Sequence, residues 1–320
     1  MLYQFEFTPY QRPFKIPLKT HHGTWAVREG IIVTLTDEQG WQGQGEIAPL
    51  PWFGTETVTA AIALCESFGK TISTAQIYAI PDQFPACQFG FETAVSRYQI
   101  SDIRHQLERR DCCQLLSSHL SDDLSDNQAI DEQLNLFLEQ GFRTFKLKIA
   151  VAEFGQELEL CQQIIAILSR FQFNHQEKTF LRLDANGGLS LEVAKQWLEW
   201  GEDQTNLEFI EQPLAPEYFA ELLWLQNNYQ TKIALDESVT NLTNLEHCYR
   251  QGWRGVYVLK VAIAGFPSRL RKLCEQYPLD LVFSTVFETQ VGQQALLQIA
   301  RDLGNPQRAL GLGGDHWFAA

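Results

Sequence analysis

Six ionisable side chains stand at or near the ends of apolar runs. Lys146 and Lys148 alternate with apolar residues in Phe145-Lys146-Leu147-Lys148-Ile149. Asp184 closes Leu181-Arg182-Leu183-Asp184, Glu211 closes Phe209-Ile210-Glu211, Asp236 closes Ala234-Leu235-Asp236, and Lys260 closes Val258-Leu259-Lys260. In an extended run successive side chains point to opposite faces, so Lys146 and Lys148 share one face. Two ammonium groups within about 7 Å of each other repel, and each is expected to give up its proton more readily than in water. A neutral lysine can take a carbon-bound proton. If the three carboxylates end successive parallel strands, spaced roughly 4.8 Å apart, they converge on one hard cation. Mg²⁺, or another oxygen-seeking ion such as Mn²⁺, would relieve their mutual repulsion. No His/Cys set accompanies them, which argues against zinc.

These parts describe one chemistry. A divalent ion binds a substrate carboxylate while a lysine removes the proton from the adjacent carbon. The enediolate gains charge beside the ion, so the transition state is stabilised more than the ground state. Each part has a plainer reading alone: a strand-end carboxylate is commonly a helix cap, and Lys-x-Lys commonly a solvated strand face. The ordered set, one member per strand, is not explained that way.

The elements that must position these residues are legible from residue 100 onward. Runs read as strands are Cys112–Ser117, Thr144–Ile149, Thr179–Asp184, Leu207–Glu211, Lys232–Asp236, Gly255–Val261, Leu279–Thr285 and Ala309–Gly313. Helical patterns lie between them at Asp131–Gln140, Phe154–Phe171, Ser190–Trp200, Pro216–Asn227, Leu242–Gln251, Ser268–Gln276 and Gly292–Leu303. Alternation of this kind predicts an α/β fold, a (β/α)₈ TIM barrel with its site at the C-terminal strand ends. A doubly wound sheet is the alternative, but no GxGxxG follows a first strand, so a dinucleotide site has no support. The first hundred residues read as a small α+β unit. Tyr3, Phe5 and Phe7 alternate in one strand and Ile31, Val33 and Leu35 in another; Trp41–Glu46 returns. Thr55, Thr57 or Thr59 is expected to cap a helix after the breaker-rich Pro49–Gly54.

Composition narrows the function. The chain has 320 residues, 45% of them hydrophobic, and 25 Lys+Arg against 39 Asp+Glu, a net charge of −14. A nucleic-acid or anionic-membrane partner is therefore not expected; the small-molecule carboxylate substrate expected here comes from the lysine and carboxylate set, not from the composition. Met1–Phe14 shows no basic stretch followed by an apolar one, so no secretory signal is expected. Seven scattered cysteines without CxxC spacing suit free thiols in a reducing cytoplasm. His21, His22 and His316 receive no role, and Cys112-Cys113 reads as buried strand.

With these residues in view, the chain resembles the enolase superfamily, in its muconate-lactonizing-enzyme-like subgroup, over essentially its full length. The resemblance rests on Lys146-Leu147-Lys148, Asp184-Ala185-Asn186, Glu211-Gln212-Pro213, Asp236-Glu237-Ser238 and Lys260. It implies a modified barrel over residues 101–313. Over the barrel it implies an enolase-type capping domain of residues 1–100, completed by about 314–320. It also implies Mg²⁺ held by Asp184, Glu211 and Asp236. Within the subgroup the chain is most similar to the o-succinylbenzoate synthase family, through Gly45–Thr57, Leu181–Asn186 and Phe283–Thr289. That implies a hydro-lyase performing syn dehydration of 2-succinyl-6-hydroxy-2,4-cyclohexadiene-1-carboxylate to 2-succinylbenzoate in menaquinone or phylloquinone synthesis. Carried over, Lys148 is the base that then protonates the departing hydroxyl, and Lys260 is the cation on the opposite ring face. Lys146 supports Lys148, Arg182 lies near the substrate or its supporting network, and Asn186 supports the site. The loop from Thr20 to Gly30 and the loop around Pro51–Gly54 would close over the ring. Relatives that epimerise dipeptides, racemise N-acylamino acids or cycloisomerise muconate share the ligands and lysines. Dipeptide epimerases usually carry Asp-x-Asp at the eighth strand, where this chain reads Gly311-Leu312-Gly313-Gly314-Asp315-His316. A non-catalytic binding protein on this fold would be expected to have lost a carboxylate or lysine, and none is lost.

Overall fold

Alternating apolar residues build the first sheet. In this computed structural model, which describes residues 1–20, 23–96, 107–116, 127–312 and 318, β1 (Leu2–Thr20) and β2 (Gly23–Thr36) form a long antiparallel hairpin. Tyr3 and Phe5 on one strand, and Ile31, Val33 and Leu35 on the other, are buried. β3 (Gln42–Ile47) and β4 (Thr71–Ser73) flank them in the order β3-β2-β1-β4. The segment expected as a loop from Thr20 to Gly30 is mostly strand: Trp25 pairs with Leu18 and Val27 with Pro13. Its Gly, Arg and Glu residues mask the two-residue period that pairing with β1 nonetheless imposes. His21, His22 and His316 lie outside the described residues.

Helices α1 (Val58–Phe68), α2 (Thr74–Tyr78) and α3 (Pro85–Val95) cover this sheet. Of the threonines expected as the α1 cap, Thr57 takes the role, accepting from the Ala60 N–H at 3.1 Å. The residue pattern gives no sign of α3, because it is buried on all sides and carries no amphipathic stripe. It packs backbone to backbone on β3: a Cβ on Gly45 would sit 1.8 Å from the Gly90 carbonyl oxygen.

The second sheet is parallel. β5 (Cys113–Leu115), β6 (Thr144–Lys148), β7 (Phe180–Asp184), β8 (Leu207–Glu211), β9 (Ile233–Leu235), β10 (Val256–Leu259) and β11 (Asp280–Phe283) follow one another in unbroken order. Parallel bridges Cys112–Leu310 and Ser284–Gly311 join its two edges, so the eighth expected run closes a barrel. Helices α4 (Asn127–Glu139), α5 (Phe154–His175), α6 (Leu191–Glu202), α7 (Phe219–Asn228), α8 (Leu242–Arg250), α9 (Pro267–Gln276) and α10 (Gln290–Leu303) lie between the strands in sequence. Alternation sorts the strand residues: Phe145, Leu147, Leu183, Ile210, Leu235 and Leu259 join the large core with the helices, while Phe209, Ala234, Val256, Val258 and Val282 form a separate cluster inside the barrel. No helix among the described residues is long and apolar enough to cross a membrane.

Two carboxylates join the antiparallel unit to the barrel. Buried Glu46 of β3 accepts from the Thr289 N–H at 2.8 Å, the Gly292 N–H at 2.9 Å, and the hydroxyls of Thr289 and Tyr10, which places it at the N-terminus of α10. Glu92 of α3 does the same for α9, accepting from the Ser268 N–H at 2.9 Å and its hydroxyl at 3.1 Å. An anion at a helix N-terminus satisfies otherwise orphaned donors and meets the positive end of the helix dipole. Glu46→Ala leaves those donors buried and unpaired, so it is expected to cost about 3–5 kcal/mol of stability, with Glu46→Gln costing less. Urea unfolding followed by circular dichroism reads this directly.

Candidate active site

The barrel brings the six predicted side chains together at one end. β6 and β7 pair with Lys146 opposite Arg182 and Lys148 opposite Asp184, and β7 and β8 with Asp184 opposite Glu211. Asp236 follows β9 and Lys260 follows β10. The Lys146 Nζ lies 2.6 Å from Asp184 Oδ2 and 2.8 Å from Glu211 Oε1. The Lys148 Nζ lies 2.6 Å from the same Asp184 oxygen and donates to Asn186 Oδ1 at 2.5 Å. Lys260 donates to Asp236 Oδ1 from the other wall, and its ammonium sits 4.0 Å from the centre of the Phe53 ring.

Charge in this cluster is distributed unevenly. Burial pushes Asp184 up, but Lys146 and Lys148 together hold its carboxyl well below the usual range. Burial and the neighbouring Asp184 push Glu211 up to about 7. Burial, resisted by Lys260 and aided by Glu237, pushes Asp236 up to about 6. The expectation that Lys146 would be easily deprotonated is overturned. Burial does lower its basicity, but Asp184, Glu211 and Asp236 outweigh burial and hold it well above an ordinary lysine. Repulsion between the lysines is real but smaller than the attraction of three carboxylates.

The donor set suits a hard cation. All three carboxylates are buried, all offer only oxygen, and two of them are pushed toward protonation even with three lysines present. Glu237 Oε2 beside them is buried without a hydrogen-bond partner. Among the described residues no trio of His, Cys, Asp or Glu side chains is already drawn together as a ligand set. The lysines stand between the carboxylates, so a divalent ion here would exchange places with ammonium contacts.

Backbone strain marks the same rim. Among the described residues five non-glycine residues have positive φ, and four of them follow barrel strands: Ala150, Asn186, Gln212 and Phe287. Such conformations persist only where surrounding structure over-determines them. Gln212 shows how: its buried amide donates to Ser238 Oγ at 2.7 Å and Leu214 O at 2.9 Å and accepts from the Asp236 N–H at 2.9 Å, tying the end of β8 to that of β9.

Arg182 does not join the cluster. It lies one inward layer lower, bonded to Glu208 at 2.6 Å and to the Ala309 carbonyl at 2.9 Å. A register shift in β8 adds Glu208 opposite β7, and Arg308 ties Glu208 to Asp280. This ion network fills the barrel beneath the site. Sequence reasoning assigns no role to Phe53, Gln212 or Glu237. Their signals lie in motifs already noticed, Pro51–Gly54, Glu211-Gln212-Pro213 and Asp236-Glu237-Ser238. Over the rim, Trp25 packs against Trp52 at 4.9 Å and Phe287 at 5.6 Å between ring centres. Thr285 and Thr289 hold turns there: Thr285 Oγ1 donates to Glu288 at 2.9 Å, and Thr289 caps α10. Asp315, which bears on the epimerase alternative, lies outside the described residues.

Comparison with known proteins places this geometry. Residues 129–317 match the enolase C-terminal domain-like family, and residues 3–98 match the MenC N-terminal domain. The o-succinylbenzoate synthase of Thermosynechococcus vestitus is 35% identical, over 99% of this chain and 94% of that protein. A crystal structure of o-succinylbenzoate synthase from Thermosynechococcus elongatus, with Mg in its active site, superposes with a TM-score of 0.83 at 34% identity, covering 99% of this chain and 95% of that one. The dipeptide epimerase of Methylococcus capsulatus, solved with Mg and L-Arg-D-Lys, gives 0.78 at 17% identity over 100% and 93%, a likeness of fold alone.

Proposed function

Because this chain belongs to the enolase superfamily, and within it to the o-succinylbenzoate synthases, we propose that it is a hydro-lyase that dehydrates 2-succinyl-6-hydroxy-2,4-cyclohexadiene-1-carboxylate to 2-succinylbenzoate, a step of menaquinone or phylloquinone synthesis. The observation that carries this reading is the pair of opposed lysines, Lys148 and Lys260, flanking three buried carboxylates at the barrel mouth. Asp184, Glu211 and Asp236 would hold Mg²⁺. The chemistry such an ion supplies is positive charge, set against the substrate carboxylate and the further charge that develops as the C–H bond breaks.

The chain's own residues do the rest. Lys148 takes the proton on the carbon next to the carboxylate. Its amine is aimed by Asp184 and Asn186, so little reorganisation precedes transfer. The leaving hydroxyl departs from the same ring face, and Lys148 returns the proton to it. Lys260, steadied by Asp236 and by the face of Phe53, stays cationic over the opposite face as charge spreads into the ring. Lys146 keeps its proton and balances Asp184 and Glu211. Elimination yields an aromatic ring, so the step is downhill and irreversible in practice.

The domain organisation belongs to the same reading: a capping unit of residues 1–100, completed by about 314–320, over a barrel of 101–313. Pairing of Phe14 with Phe318 supports return of the chain's end to the cap. A reducing cytoplasm is supported by seven cysteines that are all free. Loss of the cyclohexadiene absorbance on adding purified protein with Mg²⁺ tests the activity. Turnover is expected; none, together with exchange of the α-proton of a dipeptide, would transfer the assignment to an epimerase.

A further inference from the structure

Lys148, the base in the reading above, owes its aim to an amide that can face either way. Asn186 presents Oδ1 to the Lys148 ammonium at 2.5 Å and donates through Nδ2 to Glu237 Oε1 at 2.9 Å. Its backbone is pinned too: φ is 44°, and its N–H donates to Asp184 Oδ1 at 3.1 Å. An ammonium has only donors and a carboxylate only acceptors, so these two neighbours permit one orientation of the amide between them. Without an acceptor at position 237, rotation by half a turn would set the NH₂ group against the Nζ of Lys148, two donors facing each other.

We propose that Glu237 is a positioning residue for the proton transfer, acting through Asn186 to keep an acceptor facing Lys148. The inference rests on Lys148 being the base. Glu237 touches no reacting atom in this arrangement; what it fixes is the direction of the hydrogen-bond chain Lys148→Asn186→Glu237.

Near-isosteric substitutions test that direction. Asn186→Asp sets a carboxylate against Glu237 and is expected to lower kcat about 100-fold, the scale on which small misplacements of reacting groups act. Adding Glu237→Gln to it reverses the second bond: the introduced amide donates to one oxygen of the introduced carboxylate, and the other oxygen still accepts from Lys148. The double variant is expected to recover at least about 10-fold in kcat over Asn186→Asp, with KM for the substrate within about twofold throughout. Glu237→Gln alone keeps an acceptor and is expected to stay within about fivefold of the parent. Glu237→Leu removes the acceptor, with an expected kcat loss of about 10-fold or more that disappears in an Asn186→Ala background. No recovery in the double variant overturns the proposal, as does a Glu237→Leu loss that persists without Asn186. A kcat restored to Glu237→Leu by excess Mg²⁺ overturns it as well, since the residue would then serve the ion. Lys148→Ala run alongside separates these results from failure of the base assignment: a near-parental rate there sinks that reading whatever the swap shows.

Discussion

Lys148→Ala is expected to lower kcat by about 10³- to 10⁴-fold while the protein keeps its fold and its thermal midpoint. The size follows from the double duty of one amine, which both removes the ring proton and delivers it to the leaving oxygen; general acid–base catalysis contributes on this scale. The fold is spared because Lys148 is half-exposed at a strand end, and Asp184 keeps Lys146 as a counter-charge at 2.6 Å. kcat and KM measured together separate outcomes. A fall in kcat with an unchanged KM marks an interaction made only in the transition state. A rate within about tenfold of the parent would remove Lys148 from the role of base.

Chelation is the second large effect. EDTA is expected to abolish turnover, and Mg²⁺ to restore it. The carboxylates also set a pH dependence. Glu211 is pushed up to about 7 and Asp236 to about 6, so below those values the cation must displace protons. The Mg²⁺ concentration for half-maximal rate should therefore rise as pH falls from about 8 to about 6, and approach a constant above that range. Full activity in EDTA, or a metal requirement that weakens toward acid pH, would refute the assignment of these three side chains. Asp236→Asn gives an independent check: it keeps shape, removes charge, and is expected to raise that concentration about tenfold or more.

Much of this site could be read from residue order because a parallel barrel converts sequence into geometry simply. Each strand contributes its last inward residue to one rim, so Lys148, Asp184, Glu211, Asp236 and Lys260 needed only the two-residue period and the strand count. What the period cannot carry is the balance of charges between strands. The expectation for Lys146 follows from its neighbour Lys148, two residues away, whereas Asp184 and Glu211 on the next two strands decide its proton. Arg182 has a related limit: the two-residue period puts it one layer below Asp184, but the partner that holds it there, Glu208, is supplied by a register shift on β8 that nothing in Leu181-Arg182-Leu183 announces. The capping unit was harder to read. α3 is buried on every side, polar Gln88, Glu92 and Thr93 included, so it offers no stripe, and the far half of the β1–β2 hairpin owes its strand form to pairing and to ring contacts of Phe14 and Trp25 that its own residue pattern does not announce. Phe53 against Lys260 is a contact between the two units, beyond the reach of any local pattern.

Glu46 and Glu92 carry one more consequence. Barrel helices begin on the rim where the strands end, so α9 and α10 point their positive poles toward the side from which substrate arrives. A dianionic ring acid diffusing in would find each of those poles attractive. The covering unit stoppers both with its own acids. At these two helix starts the incoming anion meets a carboxylate instead of free N–H groups, so neither competes with the amines of the rim.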